Sequence, residues 1–273
     1  MRLLIFGPGY TASHLVTRLE TRGWRIATIT RENFADRART VFEIAHATHI
    51  LSSVPPGEDD PVLAAYSAEI AAASAWLGYL SSTGVYGDTR GAWADESAPL
   101  AGRRGSRLAA DIAWGKLPNA RIFRLPGIYG PGRSALDRVA AGNATRVAVP
   151  GQVFSRIHVD DIVEGVIAGF DGPPGAYNLA DDMPSPQSDV LAYAAALLGI
   201  ALSPEVPLES VELSPQARAF YAENRRIANG KAKRILGWRP RYPDYRLGLR
   251  ALSAITSPAS TSAAPAPASH DQR

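Results

Sequence analysis

Residues 2–12 read RLLIFGPGYTA, and the interpretation of this stretch decides the fold. Arg2 to Phe6 is a short, mostly apolar run that stops at Gly7. Leu15, Val16 and Leu19 then follow at helical spacing up to Gly23. The order is strand, tight turn, helix. Gly7-x-Gly9-x-x-Ala12 therefore falls where a dinucleotide-binding fingerprint needs it. Gly7 takes the tight-turn dihedrals, Gly9 lets the backbone approach a pyrophosphate, and Ala12 is small enough for close strand–helix packing. The amides around Tyr10, Thr11 and Ala12 open the helix and face negative charge. An ordinary glycine turn before a helix is the plainer alternative.

Moving outward, Trp24 to Thr30 reads as a second strand, followed by a connection with Arg31, Arg37 and Arg39 and by the apolar pair Val41-Phe42. Thr48 to Ser53 is a further strand, ended by Val54-Pro55-Pro56-Gly57, where prolines stop ladder hydrogen bonding. A helix over 61–75 and a strand from Trp76 to Ser81 come next, then a helix over SRLAADIAW (106–114) and a strand from Ala120 to Arg124. Pro126 to Gly132 reads as a loop. Asp160 or Asp161 is placed to cap a helix running to Phe170. A strand near Tyr177-Asn178-Leu179 and a helix over 187–198 follow. Strands that are apolar throughout and alternate with helices imply a parallel sheet covered on both faces. The fold class is α/β: a Rossmann doubly wound parallel sheet with a smaller C-terminal, substrate-side lobe. The expected unit is 1–256, with the lobe formed mainly by about 170–250. Residues 257–273 are rich in Ser, Ala and Pro, too poor in apolar side chains to offset ordering entropy, and are expected to be disordered.

With 273 residues and 46% hydrophobic composition, the chain can bury a large core unaided. The absence of cysteine excludes disulfides, thiolate metal sites and thiol nucleophiles. The histidines, at 14, 46, 49, 158 and 270, form no metal pattern with carboxylates, so no metal is expected. A net charge of +3 comes from scattered arginines, without a nucleic-acid module or an aromatic-spaced basic stripe. The start MRLLIFGPG reads as a strand, not a signal peptide, and no apolar run spans a membrane, so a cytoplasmic location without nucleic-acid or membrane partners is expected. A homodimer is compatible with this reading.

The acidic residue that would grip a ribose 2′-hydroxyl at the end of the second strand is missing; the sequence there is Thr28-Ile29-Thr30-Arg31. Arg31 suits a 2′-phosphate. The reading favours NADP, with Glu32 keeping NAD open.

GPGYTASHL (7–15), YLSSTGVYGD (79–88), RLPGIYGPGR (124–133), RIHVDD (156–161) and YNLADD (177–182) occur in an order and spacing that resembles the extended short-chain dehydrogenase/reductase superfamily. The likeness is to its NAD-dependent epimerase/dehydratase kind, and within that the atypical YeeZ-like branch. It runs nearly to residue 250. The resemblance implies that Ser82 or Thr83 hydrogen-bonds the reacting oxygen of a small polar, sugar-like substrate, with Ser81 beside the cofactor and Tyr86 lining the same cleft. The bland alternatives are hydroxyls satisfying their own turn backbone and a packed core aromatic. It also implies that Ser53-Val54-Pro55 and Pro126-Gly127-Ile128 wall the cofactor. The superfamily's tyrosine and lysine, four residues apart, correspond to Arg103 and Arg107. Arg107 still suits a ribose or phosphate, but arginine stays protonated and makes a poor proton shuttle. Arg133, Arg156 and His158 face an anionic substrate on one reading and serve structure on the other, with Arg156 pairing Asp160 or Asp161. Asp88, Asp95 and Glu96 are general acid–base candidates or a solvated loop. Two functions follow: an NAD(P)-dependent oxidoreductase, epimerase or dehydratase, or a non-catalytic dinucleotide-binding sensor.

Overall fold

The structure, a computed structural model, describes residues 1–212, 218 and 220–256. The expected disorder of 257–273 lies outside them. Strands β1 (Arg2–Phe6), β2 (Arg25–Ile29), β3 (His49–Ser52) and β4 (Trp76–Ser82) alternate with helices α1 (Tyr10–Glu20), α2 (Arg37–His46) and α3 (Pro61–Ala72). The short strand β5 (Trp93–Ala94), helix α4 (Gly105–Gly115) and strands β6 (Ala120–Leu125) and β7 (Gly127–Tyr129) follow. Next come α5 (Ala135–Ala140), β8 (Val147–Ala148), β9 (Arg156–His158), α6 (Val159–Ala168), β10 (Gly175–Asn178) and α7 (Gln187–Leu198). Helices over Gly230–Ile235 and Tyr245–Thr256 come near the end.

Six strands form one parallel sheet in the order β10-β6-β4-β3-β1-β2. The chain turns from β2 across β1 to β3, so the direction of winding reverses between β1 and β3. A crevice opens at the carboxyl ends of strands at such a point. Val41 and Phe42 lie inside α2, so no strand is added outside β2.

Alternate residues of each strand face opposite layers. Leu3, Ile5, Leu51 and Phe123 pack under α1 and α6. Leu4, Phe6, Ile50 and Ile122 pack with Ile44 of α2, Ile70 of α3 and Trp114 of α4. Asp60 joins two helices on that second side: its carboxylate caps α3 by accepting from the Val62 and Leu63 amides and also accepts from the Trp114 indole of α4.

The lobe boundary differs from expectation. A separate core joins Tyr129, Leu136, Val190, Leu191, Tyr245 and Leu249, so the lobe begins with β7 and α5, well before residue 170. Within the expected range, β10 completes the main sheet and Ala232 and Trp238 return to its core. The stretch 126–132 is also not all loop, because Gly127–Tyr129 pairs in parallel with Arg156–His158.

Candidate active site

The crevice between β1 and β3 widens into a cleft of about 730 Å³. One wall is the turn into α1. Gly7 has φ 71°, and a Cβ there would lie 2.7 Å from a Val54 methyl. Gly9 is the residue before α1 and is in an extended conformation. No side chain caps the helix, and its first turn holds no acid. A Cβ on Gly9 would meet nothing closer than the Gly7 carbonyl at 4.0 Å. The first amides of an eleven-residue helix are thus left facing a space that only a backbone without side chain keeps open, which fits a pyrophosphate.

Of the residues expected around a cofactor, Gly9, Tyr10, Thr11, Ser53, Pro55, Ser81, Pro126, Gly127 and Ile128 line the cleft. Gly7, Val54 and the fully buried Ala12 are not part of the lining; Gly7 lies against Val54. Arg31 is exposed, just beyond the carboxyl end of β2, and is not part of the cleft lining. Asn33 closes the turn there, accepting from the Thr30 amide and donating to the Thr28 carbonyl.

Ser82, Thr83 and Arg107 also line the cleft. The Ser82 hydroxyl accepts from the Gly84 amide at 3.1 Å, capping the single turn Thr83–Tyr86. Its own proton still has a direction to give. Tyr86 is a correction: it does not line the cleft. Its phenol donates to Asn178 Oδ1 (2.7 Å), accepts from Arg124 Nη1 (3.0 Å) and is 2% exposed. Burial raises its pKa above the ordinary value.

Tyr86 belongs to a buried chain of polar groups beneath the cleft floor. The Ser81 hydroxyl donates to Asp111 Oδ2 (2.6 Å), and Arg124 grips both oxygens of that carboxylate. Asn178 connects onward, its backbone amide donating to Glu96 Oε1. Glu96 is thereby committed to the scaffold, with burial raising its pKa. Asp88 and Asp95 accept hydrogen bonds from nearby backbone amides in loops.

Two further readings change. The cap of α6 is neither Asp160 nor Asp161 but His158, whose Nδ1 accepts from the Asp160 amide. Burial lowers the pKa of His158 to about 4, so the ring stays neutral and able to accept. Asp161 instead accepts from the Arg241 and Tyr242 amides, pinning the C-terminal segment. Arg156 pairs with neither aspartate; buried, it donates to the carbonyls of Phe154 and Ser185 and to Gln187 Oε1. Arg133 does line the cleft, its guanidinium 5.5 Å from the centre of the Tyr10 ring.

The far wall holds residues that no local pattern announced. Phe154, Phe220, Glu223 and Arg225 arrive from distant segments. Glu223 accepts from Arg103 at 2.8 Å and from Arg225 at 2.5 Å. Burial alone would raise its pKa, but these hydrogen bonds more than offset that and hold it below its ordinary value. Among the described residues lining the cleft, five are arginines (103, 104, 107, 133 and 225) and one, Glu223, is acidic. Such a cleft concentrates anions. No group of histidines and carboxylates able to hold a metal occurs among the described residues, and no described helix is long and apolar enough to cross a membrane.

No family model matches the chain. A functionally unknown conserved protein from Silicibacter pomeroyi is 43% identical and superposes with a TM-score of 0.84, over 93% of this chain and 98% of that one. The chain belongs to the same family as that conserved protein. Its fold is that of the extended short-chain dehydrogenase/reductases. The dTDP-glucose 4,6-dehydratase of Bacillus anthracis, solved in complex with NAD, superposes with a TM-score of 0.68 at 16% identity, over 93% of this chain and 95% of that one. A 3-diazoavenalumate denitrifying reductase from a Streptomyces species is 31% identical over 140 residues, which is 47% of this chain and 45% of the reductase. The match thus spans less than half of that relative. Arg103 and Arg107 both line the cleft.

Proposed function

We propose that this chain is an NAD(P)-dependent enzyme of the oxidoreductase, epimerase or dehydratase kind, acting on a small polar anion, with NADP favoured. The observation that carries the reading is one continuous cleft. It runs from the uncapped helix start at Gly9 to the hydroxyls of Ser82 and Thr83 and on to the arginine-rich far wall. The reductase relative and the NAD complex of the dehydratase support it.

Gly9, Tyr10 and Thr11 hold the pyrophosphate, Pro126 to Ile128 wall the nicotinamide end, and Arg31 meets a 2′-phosphate. A bound nicotinamide gives or takes a hydride. The hydroxyls of Ser82 and Thr83 orient the substrate oxygen and donate a hydrogen bond to it. The guanidinium groups of Arg103 and Arg107 stabilise negative charge on that oxygen, and the proton exchanges with water in the cleft.

The test is calorimetric titration with NADPH and NADH, of the wild type and of Arg31→Ala, followed by a turnover screen over sugars, ketones and aldehydes. The expected result is NADPH binding that Arg31→Ala weakens, and turnover that Ser82→Ala with Thr83→Val abolishes while cofactor affinity persists. Failure of both cofactors to bind overturns the reading. Tight binding without any turnover moves it to a dinucleotide-binding sensor, the alternative that the arginines at positions 103 and 107 favour.

A further inference from the structure

Beside the main cleft lies a second cavity of about 310 Å³, sharing Ile128, Arg133, Phe154 and Phe220 with it. Its inner wall is apolar: Tyr129 from β7, Val190 from α7, and Tyr245 and Leu249 from the final helix. Its entrance carries the rings of Phe154 and Phe220, stacked with centroids 4.1 Å apart and planes 6° from parallel. The polar groups of the wall are largely committed elsewhere. Asp137 accepts from the amide and hydroxyl of Ser134, and Arg156 donates to two carbonyls and to Gln187. Arg133, at the junction with the cofactor turn, and exposed Arg138 are the cations left to meet a ligand.

Resting on the enzymatic reading above, we infer that the substrate is a planar aryl carboxylate. Its ring lies in the second cavity against the Phe154–Phe220 pair, and its carboxylate meets Arg133 at the border with the main cleft. Flat aromatic walls select flat aromatic ligands through offset stacking. A cavity of about 150 Å³ holds benzene, so about 310 Å³ holds roughly a dozen heavy atoms, a ring with a short acidic arm. The cations that this cavity offers a ligand, Arg133 and Arg138, suit the single charge of a carboxylate.

The experiment uses calorimetry on the full chain, alone and saturated with NADPH, with three probes: cinnamate, cyclohexanecarboxylate and UDP-glucose. Cinnamate is expected to bind about tenfold or more tighter than cyclohexanecarboxylate, and UDP-glucose not to displace it. Phe220→Ala, at a ring that is 45% exposed and therefore dispensable to the core, and Arg133→Gln are each expected to weaken cinnamate by about tenfold. Absence of cinnamate binding, cinnamate binding that both variants leave unchanged, or tighter binding of UDP-glucose overturns the inference. NADPH titrated into the wild type tests the enzymatic reading separately. Cofactor binding with no cinnamate binding sinks only the aryl subsite, and cinnamate binding with no cofactor sinks only the enzymatic reading.

Discussion

Gly7 and Gly9 belong to one fingerprint but are glycine for different reasons. Gly7 sits at φ 71° against Val54, so Gly7→Ala meets both backbone strain and a contact, and is expected to lose about 1–2 kcal/mol from the backbone alone. Gly9 has φ −76° and open space around it, so nothing in the folded chain resists a side chain there. Gly9→Val is therefore expected to keep the wild-type melting temperature within a few degrees and to weaken dinucleotide binding by at least about tenfold. Thermal melts and cofactor titration of the two variants check this, and a Gly9→Val protein that binds cofactor normally would place the pyrophosphate elsewhere. At this scale the turn is legible because its conformation is dictated by consecutive residues. Tyr86 was not. Its neighbours in sequence are the cleft residues Thr83 and Gly84, yet its phenol is claimed by Asn178 and Arg124, which no local pattern connects to it.

Elements whose partners are close in the chain were read well: α7 spans 187–198 as its apolar spacing implies, and β1, β3 and β4 lie where the apolar runs are. β7 lies in a segment rich in Gly and Pro that reads as loop, and it forms only through long-range pairing with β9. The ends of the strands opposite the cleft carry a pH-sensitive feature. His49 opens β3 and is packed among Trp24, Trp76 and Phe170. Burial lowers its pKa from 6.5 to about 4, as it does for His158. Between those values the unfolded chain binds protons that the folded chain refuses, so this stability is complete above about pH 6.5 and is lost as pH falls toward 4. Asp161 works the other way. Burial raises its pKa from 3.8 to about 6, and its contribution is present at low pH and lost as pH rises through 6. His49→Phe removes one of the two histidine contributions and leaves Asp161 in place. Its urea midpoint is expected to fall less between pH 7 and pH 4 than that of the wild type, and an unchanged slope would contradict the burial effect at His49.

Across the whole molecule, the C-terminal segment is tied to the Rossmann core at several places, among them Lys231 on the Ala176 carbonyl and a junction at Trp238. Trp238 packs in the core beside α6, its indole donates to the Asp161 carbonyl, and the Arg241 and Tyr242 amides donate to the Asp161 carboxylate. Trp238→Ala is expected to cost about 3–5 kcal/mol, with the loss of helical signal and of tertiary fluorescence remaining coincident in denaturant, because lobe and sheet share this junction. Two separated transitions would show that they unfold independently. The sequence by itself determined the alternation of strand and helix, the parallel sheet and the glycine turn into α1, because each depends on local periodicity or on consecutive backbone requirements. Only the tertiary structure decided which side chains face the cleft. It brought Phe154, Phe220, Glu223 and Arg225 to the wall opposite the turn, withdrew Tyr86 and Arg156 into the core, and moved the start of the lobe to β7. The physical reason is that these placements are settled by hydrogen bonds and packing between segments far apart in the chain, where a side chain's local spacing says nothing about its partner.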